Sequence, residues 1–362
     1  MNQSPFMSTG ESRNRRALAA RRRRRRQLSA LAVLVLAAAI AVVLAMSSSG
    51  SRGADRASAH TTHPATATLK RATPRLSQTE LALGKPPLPL TGIGSARNYP
   101  VQPAFSEQPR AGVLFNLSTG QVLWARNPYI RLRMASLTKM MTALLTVQSA
   151  PADAPVLVTR QAVNADGSKV GVLPLGRHVR LESMLYGLLL PSGNDAAVAL
   201  AQHVAGSVNH FVARMNAEAA KLGLGCTRYS SPSGYYDQGN YTCAADLAEL
   251  AHVDLEQPRI ASITRTYTAV LPFPIKGGKL FLYNNNPLLI YGYPGLTGLK
   301  TGYTEAAGRC LVATAERHGV RLGVVLLHSP APGTQAKELL DIGFKDVYHQ
   351  QLGAEPPIPA GA

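Results

Sequence analysis

The chain has 362 residues, 46% of them hydrophobic, with 38 Lys/Arg against 20 Asp/Glu and a formal net charge of +18. That is enough apolar material for one large domain or two small ones. Such a charge invites a nucleic-acid reading, but residues 1–110 hold 17 Lys/Arg against 4 Asp/Glu, net +13, while residues 111–362 hold 21 against 16, net +5. The excess belongs to the N-terminal tail, so no nucleic acid is expected as a partner.

Residues 1–27 form an Arg-rich tail that includes the run Arg21 to Arg26. Residues 28–46 are apolar except for Ser29, and a helix of that length, at ~1.5 Å per residue, spans about the hydrocarbon thickness of a bilayer. Arginines on its N-terminal side predict a cytoplasmic tail and an exported remainder. The expectation is one N-terminal transmembrane helix acting as a signal anchor, with a cleaved signal sequence and a secreted product as the alternative. Residues 47–104, rich in Ser, Ala, Thr and Pro, read as a disordered linker, residues 105–350 as the folded domain, and residues 351–362 as a disordered tail.

Two strand-like runs, 112–117 and 121–125, flank Ser118-Thr119-Gly120 and predict a β-hairpin. Next comes a stretch whose apolar positions Leu137, Met140, Met141, Leu144 and Leu145 follow the helical i, i+3, i+4, i+7 rhythm. Ser136 falls at the start of this helix, near unpaired N–H groups and the positive dipole end, with Lys139 one turn on and on the same side. A lysine acts as a base only when neutral, which requires burial or a second cation beside it. Taken alone, S-x-x-K is also what chance and an N-capping serine supply.

An apolar helix over 181–190 stops at Pro191, and Ser192-Gly193-Asn194-Asp195 separates it from a second helix over 196–204. Asn194 and Asp195 are also good N-caps. Further helices are predicted over 208–222 and 244–251, strands over 279–283, 298–302, 310–317 and 320–327, and a closing amphipathic helix over 334–347. Strands at both ends with helices between predict an α/β (α+β) fold, with one antiparallel sheet covered by helices.

Cys226 and Cys243, 17 residues apart in a Gly-, Ser- and Tyr-rich stretch, are the candidate pair for a disulfide; Cys310, in an apolar strand run, reads as a buried free thiol. The nine histidines show no H-E-x-x-H and no zinc spacing, so no metal is expected. G-x-S-x-G and phosphate-cradling glycine loops are also missing.

Three motifs stand in order: Ser136-Leu137-Thr138-Lys139, Ser192-Gly193-Asn194 and Lys300-Thr301-Gly302. The set S-x-x-K, S-D-N and K-T-G is the known signature of class A β-lactamases and penicillin-binding proteins. On these motifs, with Met215-Asn216, Leu222-Gly223 and the extension through Tyr303-Thr304, the chain resembles the low-molecular-mass penicillin-binding proteins over roughly residues 111–347. Within them it resembles the D-alanyl-D-alanine carboxypeptidases of the peptidase S11 type.

The resemblance implies a β-lactamase/transpeptidase-like fold with a helical subdomain, residues 105–350 being the serine D,D-peptidase domain. It implies removal of the terminal D-alanine from peptidoglycan stem peptides through an acyl-serine, acylation by β-lactam antibiotics, and no cofactor. Ser136 would be the nucleophile, Lys139 the general base, Ser192 a proton relay and Asn194 a holder of the substrate amide or of Lys139. Lys300 and Thr301 would face the substrate carboxylate, Gly302 would allow close approach, and the backbone N–H groups of Ser136 and Tyr303 would form the oxyanion hole. With the N-terminal helix as membrane partner, the expected localisation is extracytoplasmic, attached to the bacterial cell membrane.

Three departures accompany the resemblance. Many relatives carry an arginine just before the closing helix, whereas residues 328–334 here read His-Ser-Pro-Ala-Pro-Gly-Thr. The family's common His-Gly-Leu is Ser233-Gly234-Tyr235, and an end at Ala362 leaves no room for the separate C-terminal β-domain of many relatives. A serine β-lactamase, a D,D-endopeptidase and a catalytically decayed wall-binding protein are the competing readings. No deacylating glutamate loop stands out between Ser192 and Lys300, and all three motifs are intact.

Overall fold

The structure, a computed structural model, describes residues 89–93, 99–235 and 238–349. The chain enters through strands β1 (Ala111–Asn116) and β2 (Val122–Arg126), then a 3-10 turn (Ala135–Thr138) leads into helix α1 (Lys139–Ser149). A short ribbon of β3 (Pro155–Leu157) and β4 (His178–Arg180) brackets α2 (Arg160–Val163). Five helices follow: α3 (Leu181–Leu189), α4 (Asn194–Ala205), α5 (Val208–Lys221), α6 (Ala244–Leu255) and α7 (Pro258–Thr264). A hairpin of β5 (Thr268–Pro272) and β6 (Lys279–Tyr283) and the short α8 (Pro287–Ile290) precede β7 (Leu296–Thr304), β8 (Gly308–Arg317) and β9 (Val320–Ser329). Helix α9 (Pro332–Ile342) and a π turn (Gly343–Val347) close the domain.

The main sheet is antiparallel, in the order β2-β1-β9-β8-β7, so the N-terminal hairpin and the C-terminal meander meet at the β1–β9 pairing. Period-two alternation explains why both faces are buried. Val113, Phe115, Val312, Val325 and Leu327 point into the core shared with the helical layer. Leu114, Leu311, Ala313, Val324 and Leu326 point the other way, into a second core closed by Leu339, Leu340 and Phe344. Cys226 and Cys243 are joined by a disulfide, and Cys310 is a buried free thiol.

The expectation of an N-terminal transmembrane helix is corrected here. Among the described residues no helix is long and apolar enough to cross a membrane. The longest, α5, has 14 residues, and the ~20 apolar residues that a span requires are not met. Residues 28–46 lie outside the described residues. The transmembrane helix, membrane partnership and membrane-attached localisation are therefore withdrawn.

Local differences have local causes. The predicted helix around Ser136 starts only at Lys139, because Ala135 takes a left-handed φ of 48° and the next residues form a 3-10 turn. The closing helix begins two residues earlier, at Pro332, a residue suited to a first turn, and loosens into a π turn at Gly343. Elements β3, β4, β5, α2, α7 and α8 were not expected. None exceeds seven residues, too few to show a period.

Candidate active site

Ser136, half-buried, sits in the 3-10 turn, and Lys139 opens the helix behind it. The turn is pinned by Thr138 Oγ1, which donates to Ala135 O at 2.8 Å. Residues 231–234 pass close by: Gly234 has φ +77° and faces the Ala135 carbonyl, where a Cβ would collide with backbone.

Lys139 is fully buried. Its Nζ lies 3.0 Å from Ser136 Oγ, 2.6 Å from Asn194 Oδ1 and 2.9 Å from Ser233 O. Burial, with Lys300 nearby and partly opposed by Asp195, holds its pKa well below that of an ordinary lysine. In the neutral amine the two acceptor-only oxygens, Asn194 Oδ1 and Ser233 O, take the two N–H groups. The remaining lone pair then faces Ser136 Oγ.

Asn194 is held by its surroundings. Its Nδ2 donates to Asp166 O at 2.5 Å and its backbone N–H to Ser168 O at 2.7 Å, which turns Oδ1 toward Lys139. The Asp195 carboxylate accepts from the N–H groups of Val170 and Gly171 at 2.9 and 3.0 Å. The N-cap of α4 is Gly193, with no side-chain cap. Asn194 and Asp195 thus fasten the 166–171 loop to the helix start, and Asp195 Oδ1 also accepts from the first-turn N–H of Ala196 at 2.8 Å.

Ser192 has φ +67°. Its Oγ is buried and lacks a hydrogen-bond partner among the described residues, a costly state for a hydroxyl unless something else occupies it. On the opposite wall, strand β7 forms one edge of the main sheet. Lys300 is buried and donates from Nζ to Thr301 O at 2.9 Å. Burial brings its pKa down to about 7. A Cβ on Gly302 would lie 3.1 Å from both Met134 O and Ser136 N, so strand and turn are nearly in contact. The Tyr303 side chain points outward and is 62% exposed.

Ser136, Ser168, Ser192, Thr301, Gly302 and Arg309 are among the residues lining a cleft of about 300 Å³. The structure thus brings Ser136, Lys139, Ser192, Asn194, Thr301 and Gly302 to one place, with Lys300 buried on the strand face it shares with Gly302, near Lys139. Cys226 and Cys243 lie at the ends of the loop that carries Ser233. Sequence reasoning missed the Ser233 carbonyl, the Asp166–Gly171 loop and Arg309. Only Ser233-Gly234 left a trace, as a departure from the family pattern.

Comparison with known proteins converges on one family. Peptidase S11, described as D-alanyl-D-alanine carboxypeptidase, matches residues 100–331. D-alanyl-D-alanine carboxypeptidase DacF of Bacillus subtilis is 34% identical over 247 residues, 66% of this chain and 63% of that protein. DacB2 of Mycobacterium tuberculosis, of the same description, is 36% identical over 240 residues, 64% of this chain and 81% of that protein. The crystal structure of the Streptomyces K15 DD-transpeptidase matches with a TM-score of 0.63 at 30% identity, over 67% of this chain and 99% of that one. The chain spans less than two thirds of the length of the Bacillus relative.

Proposed function

The chain belongs to the peptidase S11 family, the D-alanyl-D-alanine carboxypeptidases, and from that membership we propose that it removes the terminal D-alanine from peptidoglycan stem peptides. Ser136 Oγ attacks the carbonyl carbon between the two D-alanines as its proton passes to Lys139 Nζ. The developing oxyanion sits between the backbone N–H groups of Ser136 and Tyr303, worth on the order of 3 kcal/mol per donor in comparable sites. Ser192 Oγ relays the proton from Lys139 to the leaving nitrogen; the C–N bond breaks and D-alanine departs. Water then adds to the acyl-serine ester, giving up its proton to Lys139, and Ser136 is released with its proton restored. Asn194 holds Lys139, and Lys300 and Thr301 form the wall that faces the substrate's terminus.

The observation that carries this reading is the environment of Lys139: buried, depressed in pKa, and with Nζ within hydrogen-bond distance of Asn194 Oδ1, Ser233 O and Ser136 Oγ. A positioned base of this kind contributes about 10²–10⁴-fold. The cleft lining includes no carboxylate among the described residues, which favours a long-lived penicilloyl-serine over a β-lactamase's rapid turnover.

The test uses fluorescent penicillin and a stem peptide ending in D-Ala-D-Ala. The unaltered protein is expected to take the label and release D-alanine, and Ser136→Ala to do neither. Absence of both from the unaltered protein would refute the proposal, and rapid penicillin turnover would favour a β-lactamase.

A further inference from the structure

Arg309 opens β8 and pairs across the sheet with Tyr303 of β7, while Thr301 pairs with Leu311. Cross-strand partners share a face, as do alternate residues along a strand. Thr301, Tyr303 and Arg309 therefore lie on one face of the sheet, with Thr301 the diagonal neighbour of Arg309. Both line the cleft that contains Ser136.

The Arg309 guanidinium donates through Nη1 to Pro330 O at 3.2 Å. That contact places it over the segment before α9, where the family resemblance calls for an arginine and residues 328–334 have none. One hydrogen bond leaves most of its five N–H donors for a ligand. No carboxylate among the described residues lies within ion-pair distance of it. Lys300 is less suited to hold an anion, being buried and already donating to Thr301 O. A guanidinium stays cationic at any working pH and presents a planar fork that matches a carboxylate.

We propose that Arg309 is a specificity-determining residue that grips the free C-terminal carboxylate of the substrate from strand β8, doing so from a different element than the arginine before the closing helix in relatives. It selects peptides that end in a carboxylate over amides and internal peptide bonds, and so biases the site toward carboxypeptidase action over endopeptidase action. The inference rests on the D,D-peptidase reading above.

The experiment compares the full chain with Arg309→Gln and Arg309→Lys on an N-acetylated stem peptide ending in D-Ala-D-Ala and on its C-terminal amide. Arg309→Gln is expected to raise KM on the acid about 10- to 100-fold, with kcat changed less than about threefold and kcat/KM on the amide unaltered. Arg309→Lys keeps the charge and loses the fork, and is expected to lower the acid-to-amide preference several-fold. An Arg309→Gln enzyme with the unaltered protein's acid-to-amide preference overturns the proposal, as does equal loss on both substrates. If Arg309→Gln does not fold, Arg309→Lys decides, and an unchanged preference overturns the proposal. Failure of the underlying D,D-peptidase reading has a different signature: the unaltered chain takes no penicillin label and releases no D-alanine.

Discussion

The two faces of the main sheet bury different chemistry. On the outer face Leu311, Leu322, Val324 and Leu326 close against Leu339, Leu340 and Phe344. At that margin Ser329 Oγ donates to Gln335 at 2.6 Å, and Asp341 accepts from Tyr293 at 2.8 Å and Lys337 at 2.9 Å. The inner face is larger and takes in Lys139, Asn194, Lys300 and Asp254. Ser192 Oγ, Tyr229 Oη and both Asp254 carboxyl oxygens there lack partners among the described residues. Each such group costs about 1–3 kcal/mol. Lys139, Lys300 and Asp254, all of altered basicity, lie on the inner face and not in the outer apolar core, so damage to the two should read out differently.

The largest expected effect is on the inner face. Lys139→Met removes the proposed base and is expected to slow penicillin acylation about 10²–10⁴-fold. Its urea stability should move by no more than about 2 kcal/mol, because apolar burial offsets the acceptors left at Asn194 and Ser233. A large loss of stability with little loss of rate would break the comparison.

The converse change is Phe344→Ala, fully buried in the outer core. It is expected to cost about 3–5 kcal/mol in urea unfolding and to leave acylation by the folded fraction unchanged. A changed acylation rate at full folding would show that the two faces are coupled.

The smallest effect sharpens the contrast through pH. Burial holds the Asp254 pKa well above the ordinary carboxylate value, so the folded state keeps a proton that the unfolded state gives up. The stability associated with that proton is full below the unfolded pKa, about 4, and is lost as pH rises toward the folded value. Asp254→Asn carries no such proton. Its urea midpoint should match that of the unaltered protein near pH 4 and lie increasingly above it as pH rises toward 8. A gap that stays constant with pH would mean that Asp254 ionises freely in the folded state.

How much could be read in advance follows from what each feature leaves in the residues. The hairpin of β1 and β2 and the meander of β8 and β9 were legible because their apolar positions sustain a strand pattern. Ser136, Lys139, Ser192, Asn194 and Lys300 were legible because the chemistry restricts residue type and order. The third contact of Lys139 was not, since a backbone carbonyl such as Ser233 O leaves no letter behind; only its neighbour Gly234 carries a trace of the close approach. The 3-10 turn was hidden because the apolar rhythm runs unbroken across the point where the backbone turns left-handed at Ala135. Arg309 was invisible because its importance depends on cross-strand register, which joins it to Tyr303 and not to any residue near it in the chain.

Strand β7 is an outermost strand of its sheet, and an exposed strand margin ordinarily invites another sheet to add to it. Here the turn at Met134 to Ser136 stands against Gly302 and covers that stretch of the margin. One feature therefore serves two ends: the turn that covers this stretch of the strand margin also sets Ser136 directly beside it.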